Sequence, residues 1–568
     1  MRRRLWGLAL ALALGGVAPV QAQSLAGAYL AARSAGMSSD YGAAADYFTR
    51  ALARDPANAH LLESTALSLL SLGKAARAVP VARKIEDDGL KSQIARMVLI
   101  ADEVQDSRYD ALLTRLDEER GIGPLVDGLL RAWGLMGAGK VSAALDAFDK
   151  VAEERGLSAF ALYHKALALA SVGDFEGAEA IFAGNAGGPL QMTRRGALTR
   201  IEVLSQLERG DEAKALADKL LGLGMDPTGS IVLTKLETGE KLPFTMVRDA
   251  RDGVAEVFYS VAVVLSGEAG EDYTLLYTRI AEFLRPGHED AILMSANLLD
   301  ALGQHDLAVA AYKSVPQGSP SYFSAELGRA DSLRKADKTD AAVEVLEQLS
   351  RSQGQTPIVW VTLGDLMRQL KRFDEAVKSY DRALDLYGSD TPDQWFLYYA
   401  RAISHERLSQ WPEAEADFRK ALELSPGQPN VLNYLGYSLV EQQIKLDEAL
   451  AMIEQAVAAQ PDSGYIVDSL GWVLYRLGRY DEAVGHMERA AELMPVDPVV
   501  NDHLGDVLWA VGRKREAEFQ WRRALSFATD QPSDDVKPDR IRRKLEVGLD
   551  TVLAEEGAPP LKVANGDH

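Results

Sequence analysis

The chain has 568 residues, 47% of them apolar, and contains no cysteine. The absence of cysteine excludes disulfides, thiolate metal sites and a lipid anchor attached through cysteine. A formal net charge of −21 disfavours nucleic acid and anionic lipid as partners, because both are themselves negatively charged.

The first residues have the pattern of a secretory signal peptide over residues 1–22. Three arginines follow Met1, a short apolar run follows them, and residues 20–22 supply the small side chains of a cleavage site. We therefore expect an exported bacterial protein that is located in the periplasm, with secretion from the cell as the alternative location. A retained N-terminal membrane anchor is the alternative. No later stretch approaches the ~18 consecutive apolar residues of a membrane-spanning helix.

Residues 23–236 carry a weak repeat that predicts pairs of short helices, with small and aromatic residues recurring at helical spacing. Within this array, residues 134–140 have the glycine and lysine spacing of a phosphate-binding loop. Val141 stands where such a loop needs Ser or Thr, and no strand precedes it. We therefore predict a turn between helices at this place and no nucleotide site.

Residues 237–254 interrupt the repeat, with Pro243 among them, and we predict a joint between two arrays there. The second array, residues 255–531, is more regular. An alanine recurs in the second helix of successive units at spacings of 34, 38, 35, 34 and 34 residues: Ala342, Ala376, Ala414, Ala449, Ala483 and Ala517.

Residues 464–497 show the repeating unit most clearly, as two short helices joined by a turn at Gly478. The packing residues lie at helical spacing, with Leu470, Gly471 and Leu474 on the first helix and Ala483, Met487 and Ala490 on the second. The small residues allow the two helices to approach closely. One such hairpin cannot bury its apolar face alone, so it needs similar neighbours.

This 34-residue helix-turn-helix unit resembles the tetratricopeptide repeat. We therefore predict an all-α superhelical solenoid of about 14 repeats, arranged in two arrays. Because an array of repeats needs covered ends, we interpret residues 532–555 as a capping helix. Residues 556–568 are predicted to be a disordered tail.

The first helices of residues 395–510 carry aromatic and polar side chains on the face that should point away from the neighbouring helix. In this repeat class that face lines a concave groove, and its composition is typical of a protein-binding hot spot. The predicted protein-binding groove comprises Phe396, Tyr399, Glu406, Arg407, Asn430, Asn433, Tyr437, Glu441, Tyr465, Asp468, Trp472, Tyr475, Arg476, Asp502, Asp506 and Trp509. The alternative is that several rings pack between adjacent first helices and are structural.

The acidic members of this set bear on the ligand. Repeats that bind a C-terminal carboxylate use Lys and Asn on their first helices, whereas Asp468 and Asp502 stand at the matching positions here. We therefore expect a basic or neutral ligand. The amide of Asn433 could hydrogen-bond an extended peptide backbone.

No pattern in the sequence predicts catalysis, a cofactor or a metal. The eight histidines are scattered without paired metal-ligand spacing, and no Gly-x-Ser-x-Gly motif occurs. We therefore predict a protein that is not an enzyme. An enzyme would instead need a deep pocket with side chains of perturbed pKa.

Residues 513–544 reverse the charge of the chain, with ten Lys and Arg against six Asp and Glu. This basic end could bind an acidic partner or the acidic surface of another copy. The alternative is that the basic residues form the solvated face of the capping helix.

Residues 250–530 are similar to a family of exported bacterial tetratricopeptide proteins. The similarity rests on runs such as residues 433–439, 468–472 and 520–525. One branch of that family is the adaptor of a carboxyl-terminal processing protease and delivers cell-wall hydrolases to it. That branch is lipid-anchored through a cysteine that this chain lacks.

The resemblance implies protein binding without catalysis. It suggests a periplasmic scaffold or adaptor whose partners are a processing protease, cell-wall hydrolases or both, with self-association as a further expectation. A structural subunit of an envelope assembly, for example in outer-membrane or polysaccharide-export machinery, is the alternative function.

Overall fold

The structure is a computed structural model that describes residues 25–185, 193–221, 227–528 and 536–561. Over these residues the secondary structure consists of short α-helices and one 3-10 turn, and no β-strand forms. The predicted all-α repeat fold is therefore confirmed. The predicted signal peptide and the last seven residues of the predicted tail lie outside the described residues.

The chain divides into two compact units, Met1–Leu349 and Ser350–His568. The predicted joint at residues 237–254 thus lies inside the first unit. The predicted domain limits stay predictions, since they were drawn from the repeat pattern and not from contacts.

Eighteen described helices lie within unit 1: α1 (Leu25–Met37), α2 (Tyr41–Leu52), α3 (Ala59–Ser71), α4 (Ala75–Asp87), α5 (Gln93–Gln105), α6 (Tyr109–Asp117), α7 (Pro124–Gly137), α8 (Val141–Glu153), α9 (Ser158–Ser171), α10 (Phe175–Phe182), α11 (Arg194–Gln206), α12 (Gly210–Leu221), α13 (Pro227–Glu237), α14 (Ala250–Leu265), α15 (Glu271–Leu284), α16 (Glu289–Ala301), α17 (His305–Lys313) and α18 (Tyr322–Lys335). Helix α19 (Thr339–Ser352) contains the division between the units.

Local sequence explains why the hairpins of unit 1 form. Ser92 caps the start of α5, where its hydroxyl accepts a hydrogen bond from the Ala95 amide at 2.9 Å. Gly139, with φ 74°, makes the left-handed turn between α7 and α8. Residues 134–140 are therefore the end of one helix and a turn, as predicted, and not a phosphate-binding loop after a strand.

Helices α14 and α15 return to pack against the first helices of the preceding hairpins. Helix α14 contacts α5, α7 and α9, and α15 contacts α3, α4 and α5. The approach of α14 is close, because a Cβ atom added at Gly253 would lie 2.3 Å from the buried indole of Trp133. The first helices of this part of unit 1 are thus covered by the chain itself.

A buried ionic cluster fixes this arrangement. The Glu256 carboxylate on α14 is 1% exposed and accepts hydrogen bonds from the Arg195 guanidinium on α11 at 2.7 Å and from the Tyr163 hydroxyl at 3.0 Å. The His288 ring lies 3.2 Å from the same carboxylate. These partners hold the pKa of Glu256 well below its ordinary value, although burial alone would raise it.

The helices of unit 2 are α20 (Pro357–Gln369), α21 (Phe373–Tyr387), α22 (Trp395–Arg407), α23 (Trp411–Leu424), α24 (Pro429–Glu441), α25 (Leu446–Ala459), α26 (Gly464–Arg476), α27 (Tyr480–Leu493), α28 (Pro498–Ala510), α29 (Lys514–Ala528), α30 (Pro538–Val547) and α31 (Leu549–Glu555). From α20 to α29 the even-numbered helices are the first helices of the repeats and the odd-numbered ones are the second. Each first helix packs against the second helix that follows it.

Small residues let these helices approach closely, as predicted. Ala483 is fully buried, and a Cβ atom added at Gly471 would lie 2.2 Å from the sulfur of Met487. The predicted cap is two helices rather than one, because Gly548 breaks it with φ 83°. This glycine also touches Trp509, since an added Cβ would lie 2.6 Å from the indole.

Candidate protein-binding site

All sixteen predicted groove residues lie on four consecutive first helices of unit 2, α22, α24, α26 and α28. The surface formed by the outward positions of these helices is called the first-helix face below. The structure divides this face into an open part, on α22, α24 and the start of α26, and a closed part on the rest of α26 and on α28.

The open part presents aromatic rings to solvent. Phe396 on α22 is 40% exposed, and Tyr465 on α26 is 65% exposed. Arg407, Asn430 and Glu441 are also exposed. The open part therefore combines apolar rings with polar groups, as a protein-binding surface does.

Other predicted residues of the open part are half-buried. The Tyr399 ring packs on Phe418 and Tyr434, with centroids 6.1 and 6.0 Å away. Tyr437 and Asn433 are half-buried on α24. The Asn433 Oδ1 atom is buried and has no hydrogen-bond partner among the described residues.

Both predicted carboxylates of the open part have an arginine beside them. Arg407 lies 3.5 Å from the carboxylate of Glu406, and Arg476, at the end of α26, lies 3.5 Å from that of Glu441. Each carboxylate has a guanidinium beside it, so the open part carries little net charge. It should therefore recognise a partner mainly by shape and apolar contact.

The closed part is organised around Trp472, which is only 9% exposed. Its indole stacks on the Tyr475 ring at 4.9 Å and on the His503 ring at 4.0 Å. Its N–H donates a hydrogen bond to Glu441 at 2.7 Å. Trp472 thus fills the space between adjacent first helices, which is the structural alternative considered for these rings.

His503 connects this stack to Asp468. Its Nδ1 atom lies 3.0 Å from the Asp468 carboxylate, and both side chains are buried. Burial alone would lower the pKa of His503, but Asp468 outweighs it and raises the pKa above the ordinary value. This pairing has no local signature in the sequence, because the two residues lie on different helices, 35 positions apart.

The two other predicted aspartates bind the cap. The Lys544 ammonium on α30 is fully buried and donates hydrogen bonds to Asp506 at 2.6 Å and to Asp502 at 2.8 Å. The Trp521 indole N–H donates to Asp506 at 2.9 Å. Burial raises the pKa of Asp502 above its ordinary value, although the nearby Lys544 opposes the increase.

The capping helices also cover Trp509. Its N–H donates a hydrogen bond to Asp550 on α31 at 2.9 Å, and the Lys514 ammonium lies 4.5 Å from the centre of its ring. Helices α30 and α31 therefore lie over the last repeat and close this end of the first-helix face.

Two expectations from the sequence are corrected here. Trp472, Tyr475, Asp468 and Asp506 do not point away from the neighbouring helices, since all four are buried by adjacent repeats or by the cap. The aspartates also give no reason to expect a basic ligand, because His503 and Lys544 compensate their charges. The functional role of the sixteen residues stays a prediction.

In the part of the chain that the structure describes, no group of three or more His, Asp or Glu side chains could hold a metal ion, and no helix is long and apolar enough to cross a membrane. An open cavity of about 330 Å³ lies between α7 and α8, with Arg131, Asp146 and Lys150 in its lining. Glu256, whose pKa is strongly lowered, does not line it.

Comparison with known proteins identifies the repeats. Two family models, both described as tetratricopeptide repeat, match the chain, one over residues 355–427 and the other over residues 29–89, 129–186 and 442–498. The matched segments lie in both units. The matched segments are therefore tetratricopeptide repeats, a class that generally serves as a scaffold for protein–protein contacts.

A curated relative gives a partial match. A tetratricopeptide-repeat-containing protein of Pseudomonas aeruginosa is 27% identical over 169 residues, which make up 30% of this chain and 28% of the relative. The match thus spans less than a third of that relative's length.

Solved structures resemble the chain more weakly. The Cut9–Hcn1 hetero-tetramer structure matches with 16% identity over 92% of this chain and 96% of that chain, at a TM-score of 0.38. Yeast Tom70 matches with 13% identity over 94% and 98% of the two chains, at a TM-score of 0.35. TM-scores of this size support no conclusion about function.

Proposed function

We propose that this protein is a non-catalytic scaffold that binds partner proteins on the open part of its first-helix face. The observation that carries the proposal is the exposure of Phe396 and Tyr465, at 40% and 65%, on a face where polar side chains surround them. A ring left in water gains free energy when a partner covers it, at roughly 25 cal/mol per Å² of apolar area.

Two further features support this assignment. The ring positions are fixed by packed helices, so little conformational entropy is lost on binding. The first helices α3, α5, α7 and α9 of unit 1 are covered by α14 and α15, whereas no element among the described residues covers Phe396 and Tyr465 in this way.

The proposal extends to location and partners. We place the protein in the periplasm, on the strength of the signal-peptide pattern in residues 1–22. The resemblance to exported tetratricopeptide adaptors suggests that it links a carboxyl-terminal processing protease to cell-wall enzymes. The net charge of −21 fits protein partners better than nucleic acid.

The test uses the double variant Phe396→Ala and Tyr465→Ala. Substitution of Trp472 would be a poor test, because this buried ring supports the fold. The matched control is Ile444→Ala with Val496→Ala, two apolar side chains of unit 2 that are 37% and 50% exposed and lie in turns outside the first helices.

We expect the control to recover the same partner proteins from a periplasmic extract as the unaltered chain, and the first variant to lose them. Both should keep the helical circular dichroism signal. Full recovery of partners by Phe396→Ala/Tyr465→Ala would contradict the proposal. Stable stoichiometric complexes that are insensitive to both variants would favour a structural subunit of an envelope assembly instead.

A further inference from the structure

The basic segment at residues 513–544 is mostly neutralised within the structure. Six of its ten cations form ion pairs: Arg513, Lys514, Arg540, Arg542, Arg543 and Lys544. Arg523 instead donates a hydrogen bond to the Pro495 carbonyl. Arg515 and Arg522, both on α29, form no ion pair with any described residue, and both are exposed. On α29, Arg515 and Arg522 are therefore the two exposed cations that have no ion pair among the described residues.

Between the two arginines lies an exposed aromatic ring. Phe519 is 60% exposed and stands at i+4 from Arg515 and i−3 from Arg522, so the three side chains share one helix face. The opposite face of α29 is the packing face, where Ala517, Trp521 and Ala524 are buried. The fold thus gives no structural reason for a phenylalanine at position 519.

The equivalent positions in the other repeats of unit 2 differ sharply. Two residues before the packing alanine, where Arg515 stands, three of the four other repeats have aspartate: Asp374, Asp447 and Asp481. Two residues after it, where Phe519 stands, they have Lys378, Ala416, Ala451 and Gly485. Five residues after it, where Arg522 stands, three of them have an acid: Asp381, Glu454 and Glu488.

Two stripes of exposed residues are complementary. The α29 stripe is Arg515, Phe519 and Arg522, and the α25 stripe is Asp447, Ala451 and Glu454. Asp447, Ala451 and Glu454 are all exposed, and neither carboxylate forms an ion pair with a described residue. The two charged residues of each helix are ~10.5 Å apart along its axis. If the two helices lie antiparallel, Arg515 therefore faces Glu454 and Arg522 faces Asp447. Phe519 then lies over the small side chain of Ala451.

We propose that α29 of one copy of this chain docks on α25 of a second copy through these two stripes. Two arginine–carboxylate pairs fix the register, and the Phe519 ring is removed from water. The two surfaces are different, so the contact is head-to-tail, and a pair of copies keeps one free α25 on the first copy and one free α29 on the second. The contact lies on second helices and leaves the first-helix face available.

The association should be weak. Exposed ion pairs contribute little each, and a net charge of −21 repels a second copy at long range. We therefore expect an average mass that rises with protein concentration rather than a stable dimer.

Sedimentation velocity on the full chain tests this with a charge-exchange design. Arg515→Glu/Arg522→Glu puts acidic against acidic groups, and Asp447→Arg/Glu454→Arg puts basic against basic groups. We expect each variant alone to lose association by at least about fivefold. A mixture of the two should associate again, because the reversed stripes match. Phe519→Ala should weaken association of the otherwise unaltered chain.

Lys378→Glu/Arg382→Glu on α21 is the matched control, since it changes the charge by the same amount outside both stripes and should leave the association unchanged. A chain that stays monomeric at every concentration would overturn the proposal. A mixture that stays monomeric although the unaltered chain associates would overturn it as well. Neither result bears on partner binding by Phe396 and Tyr465.

Discussion

The indole of Trp472 and the imidazole of His503 lie in parallel contact, with ring centroids 4.0 Å apart and planes 13° apart. The two residues belong to successive first helices, α26 and α28. The ring nitrogen of His503 also pairs with Asp468 on α26, so a single side chain joins two repeats by both stacking and charge.

This pair predicts a pH dependence of stability. The pKa of His503 is raised in the folded chain above the ordinary 6.5, since Asp468 outweighs the effect of burial. The stabilisation is therefore complete below about pH 6.5 and is lost as the pH rises through the folded pKa. Denaturant unfolding of unit 2 between pH 6 and pH 9 should show this decline.

The matching variants separate His503 from other titrating groups. His503→Gln should lower the folding stability at pH 6 and make stability decline less with rising pH. His486→Gln on the second helix α27 should leave that decline unchanged. An equally steep decline in His503→Gln would show that another group is responsible.

Glu256→Gln should destabilise unit 1. The pKa of Glu256 is held well below its ordinary value, because Arg195 and His288 outweigh the effect of burial, so its stabilisation is present above about pH 4.5 and is lost as the pH falls through the folded pKa. Removal of the charge leaves the buried Arg195 without one partner and should cost about 3 kcal/mol at pH 7. Urea unfolding measures this loss in the free energy of unfolding.

Glu208→Gln is the control for that measurement. Its side chain is 86% exposed and lies 3.9 Å from Lys241, so the loss of folding stability should stay below ~1 kcal/mol. Equal losses from the two variants would contradict the structural role of the buried cluster.

Two glycines in helix interiors should respond in opposite directions to alanine. Gly253→Ala places a methyl group against Trp133 and should destabilise unit 1, although alanine favours the helix by ~1 kcal/mol. Gly485→Ala meets no atom within 4 Å and should stabilise α27 by about that amount. Thermal unfolding of the two single variants measures both effects. Stabilisation by Gly253→Ala would show that α14 does not pack on Trp133.

Lys544→Met should loosen the cap over the last repeat. It keeps the length of the side chain but leaves the buried Asp506 and the half-buried Asp502 without their ammonium partner, at a cost of roughly 3 kcal/mol. Hydrogen exchange at residues 538–555 should become faster. Arg542→Met, whose side chain is 59% exposed, should leave exchange unchanged. Unchanged exchange in Lys544→Met would mean that apolar contacts alone hold the cap.

The hairpins were predictable because their determinants are local. The spacing of Leu470, Gly471 and Leu474 defines a helix face, and Gly478 ends the helix, with φ 75° in the turn that follows. The placement of the sixteen groove residues on first helices followed from the same periodicity.

The closing of half the face was not predictable, because the groups responsible lie far away in the sequence. Asp468 is neutralised by His503 in the next repeat, and Asp506 by Lys544, which is 38 residues away in the cap. The one sequence signal was a lysine at an otherwise apolar packing position of an amphipathic helix. The return of α14 and α15 onto α3 and α5 likewise has no local signature.

The central claim is that the open part of the first-helix face binds a partner protein, and site-specific photo-crosslinking in the native host tests it most directly. A photoreactive phenylalanine analogue replaces Phe396 or Tyr465 in turn, with Ile444 and Val496 as control positions. We predict a discrete crosslinked protein from Phe396 and Tyr465 and none from the two controls. The same products from all four positions, or none from Phe396 and Tyr465, would contradict the claim.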